Sequence, residues 1–250
     1  MPTSDDHTRR RARGATVGVM LLAEATLLLL TDPTTGRSLD SGQRTGLALA
    51  GSVLVELVQD GLVEITGKGH PQLAPGRVVV TATARHPDPD LDDALRQIAA
   101  WRRHRRPQEV VPVLARGLRA TIEQRLVDAG VLRPVPVRFL GITWTTRHPV
   151  VDPAGPSAVL RQRLREVVVG SRQPDARDAT LVAVLHALGR VPGAVGDVGL
   201  SRSEVRRRAA AIAKGDVGGE AVRRALQAAE SATAAITASA VIAASTSSSS

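Results

Sequence analysis

Arg116 and Arg119 stand three residues apart in the stretch "EVVPVLARGLRATIEQRLVDAGVL". On one helix their guanidinium groups would project within roughly 60° of each other. Arg119 would then border the apolar stripe of Leu114, Leu118, Ile122 and Leu126, with Arg116 further toward solvent. Two such planar forks can clamp one phosphate. The same spacing also describes an ordinary solvated helix face, so pattern alone leaves both readings open. A denser cluster, "WRRHRRP" (Trp101 to Pro107), sets four Arg and a His beside an aromatic. It suits lipid headgroups or nucleic acid, and equally a solvated helix end with Trp101 packed inward. Arg206, Arg207 and Arg208 read as a solvated helix face.

Chemistry of other kinds finds little support. The chain has no Cys, hence no disulfide framework, thiolate metal site or Cys nucleophile. No G-x-S-x-G, P-loop, complete G-x-G-x-x-G or H-E-x-x-H motif occurs. The six His (His7, His70, His86, His104, His148, His186) show no ligand spacing, and His186 is expected to be a buried structural residue. "DPDLDD" lacks the Gly and the distal Glu of a calcium loop and reads as a helix start. Neither an enzymatic activity nor a cofactor nor a metal is expected.

The aromatic residues are placed unusually. Phe139 is the single Phe and Trp144 one of two Trp, there is no Tyr, and both fall within "PVPVRFLGITWTTRHPV" (Pro134 to Val150). Val135, Val137 and Phe139 alternate, then Ile142, Trp144 and Thr146 alternate in return. With Leu140-Gly141 as the turn, these six share one face of a hairpin, with Leu140 at its tip. Full burial of a Phe or Trp stabilises by roughly 4–6 kcal/mol as an upper bound, and an Arg beside an anionic bilayer adds about 1 kcal/mol. Together these give reversible attachment of a lipid-facing hairpin. The competing reading folds the hairpin onto the core or onto another subunit.

Charge points the same way. A net +9 resides almost wholly on Arg, since only Lys68 and Lys214 are Lys, and the pI is near 11.4. An anionic polymer or membrane surface is the default partner. "RRRARGATVGVMLLAEATLLLL" superficially resembles a signal peptide. Glu24 within the run and its continuation into the turn Thr31 to Gly36 argue against one. The run is also too short and too charged to span a bilayer. A cytoplasmic protein, peripheral to a membrane, is expected.

These groups require a scaffold, and the periodicities provide a mainly α chain. Hydrophobic residues are 43% of the sequence and come chiefly from Leu, Val and Ala, which suits helix packing. A basic arm (residues 1–14) precedes a single compact helical domain (15–230) built around a central helix bundle with two β-hairpins. An Ala/Ser-rich low-complexity tail (231–250) follows. Helices are expected over Val17 to Leu30, over "SGQRTGLALAGSVLVELVQDG" ending at Gly61, and from Asp90 as N-cap. Others cover "EVVPVLARGLRATIEQRLVDAGVL" as far as Gly130, then "SAVLRQRLREVVVG" and "DATLVAVLHALG", the last apolar nearly all round and central. "SRSEVRRRAAAIAKG" opens with a capping box of Ser201 and Glu204, and "GEAVRRALQAAESATAAI" is the last helix. "LVEIT" and "RVVVTATA" read as the first hairpin.

The ordered set "LLLLTDPTTGR", "LAGSVLVELVQDGLVEI", "DPDLDDALRQI", "LRATIEQRLVDAGVL", "FLGITWTTRHPV" and "ATLVAVLHALG" resembles the Golgi phosphoprotein 3 family, and the chain looks like a bacterial homologue. Members of that family bind phosphatidylinositol 4-phosphate at membrane surfaces. The resemblance, from about Val17 to about Ala229, implies a lipid-phosphate pocket and a projecting apolar hairpin used for membrane contact or self-association. It puts the family's Arg pair on Arg116 and Arg119 and its hairpin on about Pro134 to Thr146. Val137, Phe139, Leu140, Ile142 and Trp144 are the implied contact residues. A Trp and an Arg that complete the pocket in eukaryotic members fall on Ser41 and Ala50 here, leaving Arg37 or Arg44 as substitutes. Other anionic lipids then compete as ligands. The arm Arg9 to Arg13 matches the coat- and cargo-binding arm of family members in charge only. The expected function is therefore a peripheral anionic-lipid-binding protein, with an adaptor role open. Its alternatives are a nucleic-acid-binding protein using the Arg-rich helices, or an oligomeric adaptor that joins subunits through the hairpin.

Overall fold

The computed structural model describes residues 20–81, 85–139, 142–216, 233–234 and 236–238. In chain order come α1 (Leu22–Leu29), α2 (Gly42–Gln59), β1 (Val63–Ile65), β2 (Val78–Val80), α3 (Pro89–Ala99), α4 (Pro107–Leu114) and α5 (Leu118–Asp128). Then follow β3 (Val135–Phe139), β4 (Ile142–Arg147), α6 (Pro156–Val169), α7 (Ala176–Ala187), α8 (Val191–Val195) and α9 (Arg202–Ala213). The fold is mainly helical with two small antiparallel hairpins, β1-β2 and β3-β4. The basic arm at residues 1–14 and most of the last expected helix lie outside the described residues. Ile236, in the Ala/Ser-rich C-terminal segment, is buried in the common core.

The most enclosed element is α1. Every one of its residues is buried, and it packs against α2, α5, α6 and α7. A helix apolar on all sides needs neighbours on all sides. The central role expected of α7 is thus shared, since α7 is buried from Asp178 to Leu185. Thr26 and Ser52 satisfy each other's hydroxyls across the α1-α2 contact at 2.9 Å. Ser41 caps α2 by accepting the Arg44 N–H, and Gly61, at φ +72°, ends that helix in the left-handed conformation only glycine adopts freely.

Three expected boundaries are corrected. The N-cap of α3 is Asp88, whose carboxylate accepts from the Asp90 and Leu91 N–H groups; Asp90 lies inside the first turn, after Pro89. Proline suits that first helical position. The long helix expected through Arg116 and Arg119 is two helices, broken at Ala115, Arg116 and Gly117, with Gly117 at φ +76°. Half of the Ser201–Glu204 box forms: Ser201 accepts the Glu204 N–H, while the Glu204 carboxylate turns to Arg207 and Arg208. His186, expected to be buried, is exposed near the end of α7.

Charged side chains tie the helices together. Arg125 on α5 reaches Glu24 on α1 at 3.1 Å and Asp88 and Asp90 at the start of α3 at 2.8 and 2.7 Å. Arg161 on α6 is buried and donates to the carbonyls of Leu28 (2.7 Å), Thr31 (2.5 Å) and Ala194 (2.6 Å). It thereby satisfies carbonyls that α1 leaves open at its end. Arg161→Met should destabilise the fold by about 2–4 kcal/mol, because the Thr31 and Ala194 carbonyls would lose their donor. Denaturant unfolding followed by circular dichroism measures this.

Glu56 on α2 accepts the Leu22 N–H at 2.9 Å and lies 3.8 Å from Arg177. Burial pushes its carboxyl up to about 7. The folded chain therefore holds a proton there that the unfolded chain releases near its ordinary 4.5. Stability from this group falls as pH rises between those two values and stays low above them. Glu56→Gln should flatten that part of the melting temperature–pH curve and raise stability at pH 8 by on the order of 1–3 kcal/mol. Thermal melts from pH 5 to 8 on both chains check it.

Candidate functional site

The hairpin β3-β4 packs chiefly on itself and projects from the helical body. Phe139 pairs with Ile142 and Arg138 with Thr143, but Val137 pairs with Thr145, Pro136 with Thr146 and Val135 with Arg147. Simple alternation had set Val137 opposite Trp144. The structure instead makes Trp144 the extra residue of a β-bulge. Beyond Ile142, the residues sharing the Val135/Val137 face are therefore Thr145 and Arg147, and Thr146 lies on the other face. Trp144 is 79% exposed, Thr143, Thr145 and Thr146 are exposed, and Val137 is half-buried. The core-folded reading of Trp144 is thus excluded. Leu140, Gly141 and the side chains of Phe139 and Ile142 lie outside the described residues.

The base of the hairpin is held firmly. Leu132 and Val150 form an antiparallel bridge, and the Arg133 and Val151 N–H groups donate to Pro149 and Val131 at 3.1 and 2.9 Å. The turn after α1 is wedged against this base, with the Val150 N–H donating to the Pro33 carbonyl at 3.0 Å. Gly36 has φ +64°, and a Cβ on it would lie 2.4 Å from the Pro149 nitrogen. Glycine is needed there for both conformation and approach. Asp32 organises the turn by accepting the Thr35 N–H and hydroxyl, both at 2.7 Å, and the Thr34 N–H at 3.2 Å. Those bonds hold its carboxyl below the usual range.

The Arg pair is divided by the α4-α5 break. Arg119, in the first turn of α5, donates to Glu123 at 2.7 Å, and Glu123 lies 3.8 Å from the His148 ring at the foot of β4. A terminal nitrogen of Arg119 lies 3.3 Å from where a Cβ on Gly42 would stand. Arg119 therefore sits over the N-terminus of α2, two contacts from the hairpin base. Arg116 is exposed and lines a cavity of about 80 Å³ with Asp90, Asp93 and Gln97 of α3. The expected parallel clamp on one helix is not formed; a phosphate held by both would have to lie across the break. Arg44 is directed elsewhere, to the Leu188 carbonyl at 3.2 Å and to Asp40 at 3.6 Å. Ser41 acts as a helix cap, and Ala50 is fully buried.

What the Arg arithmetic of the sequence missed is which of them are free. Much of the body's Arg complement is engaged: Arg96, Arg125, Arg163, Arg177, Arg190, Arg207 and Arg208 all meet carboxylates. Among the described residues, the side chains of Arg133, Arg138 and Arg147 on the hairpin, and of Arg37 in the adjoining turn, make no ion pair or hydrogen bond. Their position flanking the aromatic segment was the available signal. Arg102 and Arg103, on the loop after α3, likewise make no ion pair or hydrogen bond among the described residues, while Arg106 is the N-cap of α4 and its N–H donates to Glu109 at 2.9 Å. Trp101 in that loop is half-buried against the core, with the Arg105 guanidinium 4.6 Å from its ring centre. Among the described residues no helix is long and apolar enough to cross a membrane.

No curated protein matched the chain. The family model for Golgi phosphoprotein 3 (GPP34) matches residues 22–229, from the first residue of α1 to well beyond α9. The match takes in α1, the α4-α5 break, the hairpin and the buried α7. On that extent of agreement, the chain belongs to the Golgi phosphoprotein 3 family.

Proposed function

We propose that this protein is a non-enzymatic, peripheral membrane protein that binds anionic lipid headgroups, phosphoinositides among them, and that it works as an adaptor at the membrane surface. One observation carries the reading: an indole 79% exposed on a projecting hairpin whose own Arg side chains have no ion-pair or hydrogen-bond partner among the described residues. An indole in water retains the driving force of roughly 150–250 Å² of burial for a partner surface. Free guanidinium groups beside it favour a surface bearing phosphates. Val137, and by their place in the sequence Phe139, Leu140 and Ile142, are proposed to add to the apolar contact. Arg119, above the N-terminus of α2, holds one lipid phosphate with Arg116 approaching across the break; a helix N-terminus assists any anion placed there.

Family membership supports the lipid ligand. The identities of Ser41 and Ala50 support breadth, because neither offers the cation or the aromatic of the narrower pocket. The nucleic-acid alternative is weaker, since Trp101 packs on the core under Arg105 and offers no free stacking platform to bases.

Vesicle flotation tests the proposal. Trp144→Ser and Arg119→Ala should each lower partition onto vesicles containing anionic lipid by about tenfold, and raised salt should lower it further. Vesicles carrying phosphatidylinositol 4-phosphate and vesicles carrying phosphatidylserine at matched charge should bind within about threefold of each other, as expected of an Arg site that takes any lipid phosphate. Binding that survives Phe139→Ser with Leu140→Ser and also Arg116→Ala with Arg119→Ala contradicts the mechanism. A steep salt slope on duplex DNA, indifferent to the hairpin changes, would instead favour nucleic acid. Loss of a multimer on hairpin mutation, with flotation intact, would favour an oligomeric adaptor.

A further inference from the structure

A second set of cations lies away from Arg116 and Arg119, along the middle of α6. A cavity of about 340 Å³ is lined there by Pro33, Val150, Ser157, Arg161, Gln162 and Arg165 among others. Its size is at the lower end of ligand-holding pockets. Two of its lining side chains are almost wholly buried, Ser157 at 2% and Arg161 at 8% exposure. Each keeps a buried polar atom with no partner among the described residues, the Ser157 hydroxyl oxygen and the Arg161 Nε. Buried polar atoms of this kind are rare in folded proteins because each costs free energy.

The charge balance is equally unusual. Arg161 gives its terminal nitrogens to backbone carbonyls and among the described residues meets no carboxylate within ion-pair distance. Arg165 donates its Nε to the Val195 carbonyl at 2.6 Å and has no acidic partner among the described residues. The two guanidinium groups repel one another through space, and Asp32 attracts Arg161 without bonding to it. Asp152, on the preceding turn, accepts the Ala154 N–H at 2.9 Å and bonds to neither Arg. The helix begins with Gly155 and Pro156, and no side chain caps it. Two cations, a buried hydroxyl and the first turn of a fourteen-residue helix therefore line one cavity, and among the described residues no carboxylate bonds to either cation.

We infer that this cavity is an anion-binding site, distinct from Arg116 and Arg119, that takes a phosphate group through Ser157, Arg161 and Arg165. Ser157 and Arg161 supply buried donors, and Arg165 supplies charge at the mouth. The phosphate belongs either to a lipid headgroup or to a small soluble ion; the chemistry of recognition is shared. The site does not depend on the lipid reading given above.

The test is calorimetric titration of inorganic phosphate into the full chain carrying Arg119→Ala, so that the anion proposed for the end of α2 does not contribute. Phosphate should still bind. Adding Arg165→Gln, and separately Ser157→Val, should each weaken it about tenfold or more. Arg206→Ala, which removes an exposed charge on α9, should change it less than twofold. Absence of phosphate binding in the Arg119→Ala chain overturns the inference. So does binding indifferent to both cavity changes, or weakened as much by Arg206→Ala as by Arg165→Gln. Circular dichroism melts check that the variants fold; if Ser157→Val does not, Arg165→Gln, at the half-buried rim, decides alone. Flotation of the same chains identifies the source. A loss with Arg165→Gln assigns a lipid phosphate, and unchanged flotation beside weakened phosphate binding assigns the soluble ion.

Discussion

A cation sealed inside the protein holds the presenting surface in place. Arg161 is buried without an ion-pair partner, yet it gathers the Leu28, Thr31 and Ala194 carbonyls onto one guanidinium. Burying a charge is costly unless its donors are satisfied, and here three carbonyls satisfy the terminal nitrogens while the Nε has no partner among the described residues. One group thus joins the end of α1, the turn that follows it, and α8. That turn, with Asp32 folding it and Gly36 admitting it, is wedged under His148 and Pro149. The hairpin stands on this base. Its strands do not need the core to hold them, which frees Trp144 to face outward.

Electrostatic sorting makes the same division between scaffold and surface. Within the body, Arg side chains bridge helices through carboxylates, as Arg125 does between α1, α3 and α5. Around the hairpin, Arg37, Arg133, Arg138 and Arg147 have no such partners among the described residues. Part of the chain's excess positive charge is therefore expressed beside the projecting apolar residues. Neither apolar burial of one indole nor a few exposed charges would attach a protein firmly, and the combination suits reversible attachment.

Much of this was legible in the sequence. Glycine positions marked where α2, α5, α6 and α9 stop, since each ends beside a glycine with positive φ at Gly61, Gly130, Gly170 and Gly215. Both hairpins were visible from β-branched alternation and their turn residues. Three features were not. The break at Arg116 was hidden because the Leu114-to-Leu126 stripe continues through it at helical spacing; Gly117 was the clue, but an isolated glycine is also tolerated within helices. The bulge at Trp144 was hidden because alternation cannot register one inserted residue. The link from Arg119 through Glu123 to His148 joins residues distant in sequence, and no local pattern records it. His186 was misplaced for a simpler reason: a helix apolar nearly all round still exposes one flank near its end.

The claim that Trp144 enters an anionic lipid interface is tested most directly by its own fluorescence in a chain carrying Trp101→Phe. In solution the emission should be that of an indole in water. On vesicles containing anionic lipid it should shift to shorter wavelength and be quenched by brominated acyl chains, and neither change should occur on neutral vesicles. Emission that stays unshifted and unquenched while the protein is bound to anionic vesicles would contradict the account.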